Sequence, residues 1–161
     1  MRIGELLVVS PPGKLCEQFI ASVCDVLEQK NDETCYGRMP VNDELAVHIY
    51  GVQLNGNIDA VSWDLISPKL LGYILLFDWD DADSLEKLSP TLDIFSAQFH
   101  APLMIVGCVK NTTKIPMSPD FYEVAGIPIE KETRFSFCTA TDPISARKIV
   151  ATLIDILLEK V

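Results

Sequence analysis

The residues with the clearest chemical potential lie near the N-terminus, in Leu6-Leu7-Val8-Val9-Ser10-Pro11-Pro12-Gly13-Lys14-Leu15. An apolar strand, a tight glycine-bearing loop and a lysine-led helix form the arrangement that grips phosphate. Loop amides and a helix N-terminus both direct positive charge at the anion. The complete loop is G-x-x-x-x-G-K followed by Ser or Thr. Gly13 and Lys14 supply its second half, but Val8 stands where the first glycine belongs. Leu15 replaces the hydroxyl that holds Mg²⁺, and Pro11 and Pro12 remove two amide donors. Gly13, Lys14 and Leu15 are thus candidate cofactor-binding residues of a depleted site.

Other polar clusters have plainer explanations. The run Asp78, Asp80, Asp81, Asp83 has the composition of a hard-cation site, and Asp78 sits as a phosphoacceptor would. A phosphoacceptor of that kind needs an acidic pair after the first strand, where this chain has Ser10-Pro11-Pro12. A capped turn leading into a helix accounts for the run, with Asp83 and Glu86 as a reciprocal cap. Asp64 reads as a surface or capping residue. His48 alternates with core positions in a strand and reads as a satisfied sheet residue; His100 has no Ser, Cys or Asp partner in sequence. Trp63 and Trp79 read as core anchors, the usual use of such residues, or as interface aromatics. No catalytic triad or zinc constellation can be assembled, so neither a catalytic residue nor a metal ligand is assigned.

At 161 residues and 48% apolar, the chain is expected to form one ordered domain over residues 1–161. A formal net charge of −10 repels phosphate backbones and anionic lipid, which argues against nucleic acid and membrane surfaces as partners. No apolar run reaches the roughly 20 residues of a spanning helix, and no signal-peptide pattern opens the sequence. Five cysteines lack paired C-x-x-C spacing, and Cys24, Cys108 and Cys138 sit in apolar surroundings as reduced core thiols do. A cytoplasmic location is expected.

The elements that must position Lys14 follow from periodicity. A strand is predicted over Glu5 to Val9. A helix follows with Cys16, Phe19, Ile20, Val23, Cys24 and Leu27 on one stripe, then a polar loop from Lys30 to about Pro40. Tyr36 to Val41 and Leu45 to Tyr50 read as a hairpin around Asn42-Asp43. Leu70 to Asp78, a continuous apolar run, reads as the central strand of the sheet. Pro102 to Val109 and Arg134 to Cys138 read as further strands. Helices are predicted over Ile58 to Ile66, Asp83 to Phe99 and from Ser118 to Gly126. A final helix is capped by Thr141-Asp142-Pro143, with Ala146, Ile149, Val150, Leu153 and Leu157 on one stripe. Alternating strands and helices imply an α/β fold with a mainly parallel sheet and helices on both faces. Ligands in such a sheet sit beyond the carboxyl ends of the strands.

The loops at those ends occupy the places of the five guanine-nucleotide motifs of Ras-like small GTPases. Tyr36-Gly37-Arg38-Met39 with Leu45 to Gly51, Trp63-Asp64-Leu65-Ile66-Ser67, and Leu71 to Asp78 resemble the bacterial small GTPases associated with roadblock-domain proteins. The resemblance spans the chain in order and rests on residues 36 to 78. It implies a three-layer P-loop NTPase (Ras-like) fold. By that resemblance Val109-Lys110-Asn111-Thr112 matches the guanine-reading N-K-x-D. Lys110 would lie against a base, but Thr112 lacks the paired carboxylate acceptors that select guanine. Thr34 takes the place of the Mg²⁺-sensing threonine. Gly51 to Gly56 replaces a G-T-P-G-Q-type switch and lacks its proline-glycine turn, and Thr139-Ala140-Thr141 resembles the base-backing loop. The resemblance also implies a partner of the roadblock/LC7 type, met through Asn31 to Ser67. The expected function is a pseudo-GTPase-like interaction protein with no bound cofactor. The alternative is a divergent GTP hydrolase that holds GTP or GDP with magnesium weakly through Lys14 and works as a switch.

Overall fold

In the computed structural model, residues 2–11, 14–24, 27–30, 34–53, 70–80, 102–110 and 133–159 are described. They form β1 (Arg2–Ser10), α1 (Leu15–Val23), β2 (Leu27–Lys30), β3 (Thr34–Pro40), β4 (Leu45–Gln53), β5 (Leu70–Asp78), β6 (Leu103–Cys108), β7 (Thr133–Cys138) and α2 (Pro143–Glu159). The strands make one sheet in the order β2-β3-β4-β1-β5-β6-β7. β1 runs parallel to both β4 and β5, and β5, β6 and β7 continue the parallel set. Only β2–β3 and β3–β4 pair antiparallel. The chain is a mixed α/β protein with a mainly parallel sheet.

Leu6 to Val9 in β1, Ile74 to Leu76 in β5 and Met104 to Val106 in β6 are all fully buried. Strands covered on both faces carry no polar alternation, which is why these segments are unbroken apolar runs. One face of the sheet, including Leu6, Val8, Ile49, Ile74, Leu76 and Met104, packs under both helices. α1 contributes Cys16, Phe19, Ile20 and Val23; α2 contributes Ala146, Ile149, Val150 and Leu153. Each fully buried large side chain, Phe19 and Ile20 among them, stabilises the fold by about 1.5–3 kcal/mol. α1 and α2 also touch one another, so both lie on the same face. The predicted helices over 58–66, 83–99 and 118–126 lie outside the described residues.

The β3–β4 hairpin has the predicted turn. Asn42 Oδ1 accepts from the backbone N–H of Glu44 (2.7 Å) and of Leu45 (2.8 Å), closing an Asx-type turn. α2 begins as its sequence requires: Asp142 Oδ1 accepts from Ile144 N–H at 3.1 Å, and Pro143 occupies the first helical position.

Three expectations need correction. α1 stops at Val23, with Cys24 already extended at φ −103° and ψ 146°. Leu27, read as the last position of the helical stripe, instead opens β2 and pairs with Gly37. Val23 and Cys24 are weak helix formers, and from Leu27 onward pairing with β3 satisfies the backbone instead. The predicted polar loop from Lys30 to Pro40 accordingly begins in β2 and ends in β3. The middle strand is β1, not β5, because the β2–β3–β4 unit adds three strands on its far side.

Candidate functional site

β1 has β4 on one side and β5 on the other, so the crevice over its carboxyl end is a topological switch point, where α/β sheets bind ligands. Ser10, the last residue of β1, is fully buried, and its hydroxyl donates to Pro11 O at 3.1 Å. Pro11 is buried as well. Lys14 is exposed at the N-cap of α1, with φ −101° and ψ 0°, and caps no N–H with its side chain. Its carbonyl accepts the first helical bond from Gln18 at 2.9 Å. Leu15 packs against the hydrophobic core. A side chain held there is committed to packing, so this position offers no oxygen to a cation. Gly13 lies outside the described residues.

The first turn of α1 carries Glu17. A carboxylate there already answers the positive end of the helix dipole and opposes a second anion. Lys110 is exposed just past β6, on the same edge of the sheet as Lys14. β5 lies between β1 and β6, which sets the two strand ends roughly 9–10 Å apart at the usual spacing. Thr112 lies outside the described residues.

At the end of β5, Asp78 Oδ1 accepts from Asp80 N–H at 3.0 Å, so this part of the acidic run is a side-chain-capped turn. Trp79 N–H continues the β5–β6 pairing to Cys108 O at 3.0 Å. Its ring meets Phe137 edge-on at 5.1 Å. Among the described residues no group of three or more His, Cys, Asp or Glu is placed to hold a metal ion. Asp64, Asp81, Asp83, Trp63 and His100 lie outside them.

The Thr139-Ala140-Thr141 loop is tied down on two sides. Ser22 of α1 donates to Ala140 O at 2.6 Å, and Thr139 N–H donates to Ser145 Oγ at 2.9 Å. Thr139 Oγ1 is buried without a hydrogen-bond partner. Thr34 begins β3 opposite Val52, so its backbone belongs to the sheet and not to a free loop. Gly51, Val52 and Gln53 complete β4.

All five thiols are free and buried. The hydrogen bond with Cys35, followed by burial, pushes the Cys16 thiol well up from its ordinary value. Burial, then Cys138 and Asp78, raise Cys108. Burial pushes Cys138 up to about 11. Thiols held protonated are poor nucleophiles.

The opposite face of β3 and β4 holds a constellation that sequence inspection missed. Tyr36 Oη and His48 Nδ1 are hydrogen-bonded at 2.8 Å, and Tyr50 Oη donates to Glu5 Oε1 at 3.4 Å. The Tyr36 and Tyr50 rings lie 5.2 Å apart. Burial, then the Glu5 charge and Tyr36, raise the Tyr50 hydroxyl. The signal was present in the alternation: Tyr36 and Arg38 on β3 share a face with Tyr50 and His48 once the antiparallel register is known.

Among the described residues no helix is long and apolar enough to cross a membrane. No protein-family model matches the chain, and no curated protein matches it.

Proposed function

We propose that this chain is a pseudo-GTPase-like regulatory protein on a P-loop, Ras-like framework, working through protein contacts and not through a nucleotide cycle. The observation that carries the proposal is the turn between β1 and α1. There the Ser10 hydroxyl donates to Pro11 O, Leu15 is committed to the core and Lys14 alone offers charge. Phosphoryl transfer relies on positioning and on a bridging Mg²⁺. Each missing hydrogen bond to a charged oxygen costs about 1.5–3 kcal/mol, and three or more such losses move a nanomolar site toward micromolar to millimolar affinity. The strand–turn–helix unit, the antiparallel hairpin beside β1 and the parallel strands beyond it support the Ras-like framework.

The contact surface lies in Asn31 to Ser67, whose described part is the β3–β4 hairpin, and its partner is of the roadblock/LC7 type. The pairing of β2 with β3 supports reading the hairpin as a fixed surface and not a nucleotide-gated loop. The exposed Lys14 favours a second function, a divergent switch that binds nucleotide weakly. Small molecules released from the purified, denatured chain and melting with GTP or GDP plus Mg²⁺ separate the two. A ligand at tenfold its dissociation constant adds about 1.4 kcal/mol, which a melting assay resolves. The proposal expects no released nucleotide, no shift, and partner binding indifferent to either nucleotide. A shift that Lys14→Ala abolishes refutes it and establishes the switch.

A further inference from the structure

We infer that Cys16 and Cys35 form an oxidisable dithiol pair, able to bridge the first turn of α1 to β3. Gly51 of β4 brings the two sulfurs together. A Cβ placed on it would stand 2.5 Å from Cys16 Sγ and 2.6 Å from Cys35 Sγ, so the sulfurs lie within about 5 Å of one another. Cys35 is the largest influence on the Cys16 thiol, whose proton is directed to Val8 O at 3.6 Å. Cys24 stands over Gly37 instead. Cys108 and Cys138 oppose each other across β6 and β7, strands separated from β4 by β1 and β5. This inference rests on the fold and not on the function proposed above.

The oxidant is a hydroperoxide, and it meets Cys35 first, since Cys35 is 8% exposed and Cys16 fully covered. The Cys35 sulfur attacks the peroxide, the O–O bond breaks, and sulfenic acid and water (or an alcohol) result. The Cys16 sulfur then attacks that sulfenic sulfur. The S–S bond forms, the S–O bond breaks, and the hydroxyl leaves as water with the Cys16 proton. Cys16 is held protonated inside the core, so the second step waits for the start of α1 to open and is slow. The bridge closes a loop that contains α1 from Cys16 onward and all of β2, and ties both to β3.

The experiment treats the reduced full-length chain with dilute hydrogen peroxide, quenches free thiols, and maps disulfides without reduction. The expected product has lost two hydrogens and links the Cys16 and Cys35 peptides. It melts about 6–12 °C higher than the reduced chain and returns to the original melting temperature with dithiothreitol. Cys108→Ser, outside the pair, keeps the bridge; Cys35→Ser abolishes both bridge and shift. A bridge elsewhere, sulfenic or sulfinic adducts alone, or no bridge on the folded chain under conditions that bridge it in urea would each overturn the inference.

Discussion

Gly37→Ala tests the close packing of α1 on the β3–β4 hairpin. A Cβ at Gly37 would lie 2.7 Å from Cys24 Sγ, 2.8 Å from Ile20 Cγ2 and 2.9 Å from Cys24 Cβ. Ordinary contact begins near 3.4 Å, so the neighbours must retreat by half an ångström or more. Cys24 Sγ can rotate, but Cys24 Cβ is fixed to the backbone, and Ile20 is fully buried, so the end of α1 itself has to move. Overpacking of this kind costs about 1–3 kcal/mol. The loss of glycine's freedom in the unfolded chain offsets about 0.4–1 kcal/mol of that. The net expectation is a loss of about 1–2 kcal/mol, lowering the melting temperature by about 2–8 °C. Gly107→Ala is the control, because its added Cβ meets Phe137 and Phe77 ring atoms no closer than 3.2 Å. Urea and thermal melts followed by circular dichroism measure both variants. If Gly37→Ala matches or exceeds the parent chain, or Gly107→Ala proves the worse, the close approach of α1 to the hairpin is refuted.

Ser22→Ala removes the 2.6 Å bond to Ala140 O and leaves a carbonyl without its donor. A loss of about 1–3 kcal/mol is expected in urea melts, and one below about 0.5 kcal/mol would show that water replaces the hydroxyl. Stability should also fall at alkaline pH. Cys138 is held up to about 11 by burial, with Cys108 and Cys16 raised too, whereas an unfolded thiol titrates near about 8.5. A raised folded pKa favours the protonated form, so the contribution is complete below about pH 8.5 and is lost as pH rises through about 11, worth about 3 kcal/mol for Cys138 alone. Urea melts at pH 7.5, 9 and 10.5 under reducing conditions check this. A flat profile would mean that these thiols are not held in the core.

Much of the framework was legible in the chain, and the physical reasons are specific. Leu70 to Asp78 was recognisable because a strand buried on both faces needs no polar alternation, and the observed β5 has the same limits. α2 was recognisable because Asp142 and Pro143 carry the chemistry of a helix start and the apolar stripe persists for several turns. The departures from the phosphate-loop pattern were equally local, since Val8, Pro11, Pro12 and Leu15 fall within one short stretch. Tertiary structure decided what depends on distant partners. Leu27 suits a helical stripe and a strand equally well, and only pairing with Gly37 chose the strand. β1 became the middle strand because β2 was added at the far edge. Cys16 and Cys35 meet because a glycine on a third element leaves room for both sulfurs. Tyr36, His48, Tyr50 and Glu5 come together from three strands whose register no short window contains. Local patterns set each segment's preference, while pairing and close approach between segments far apart in sequence settled which preference prevailed.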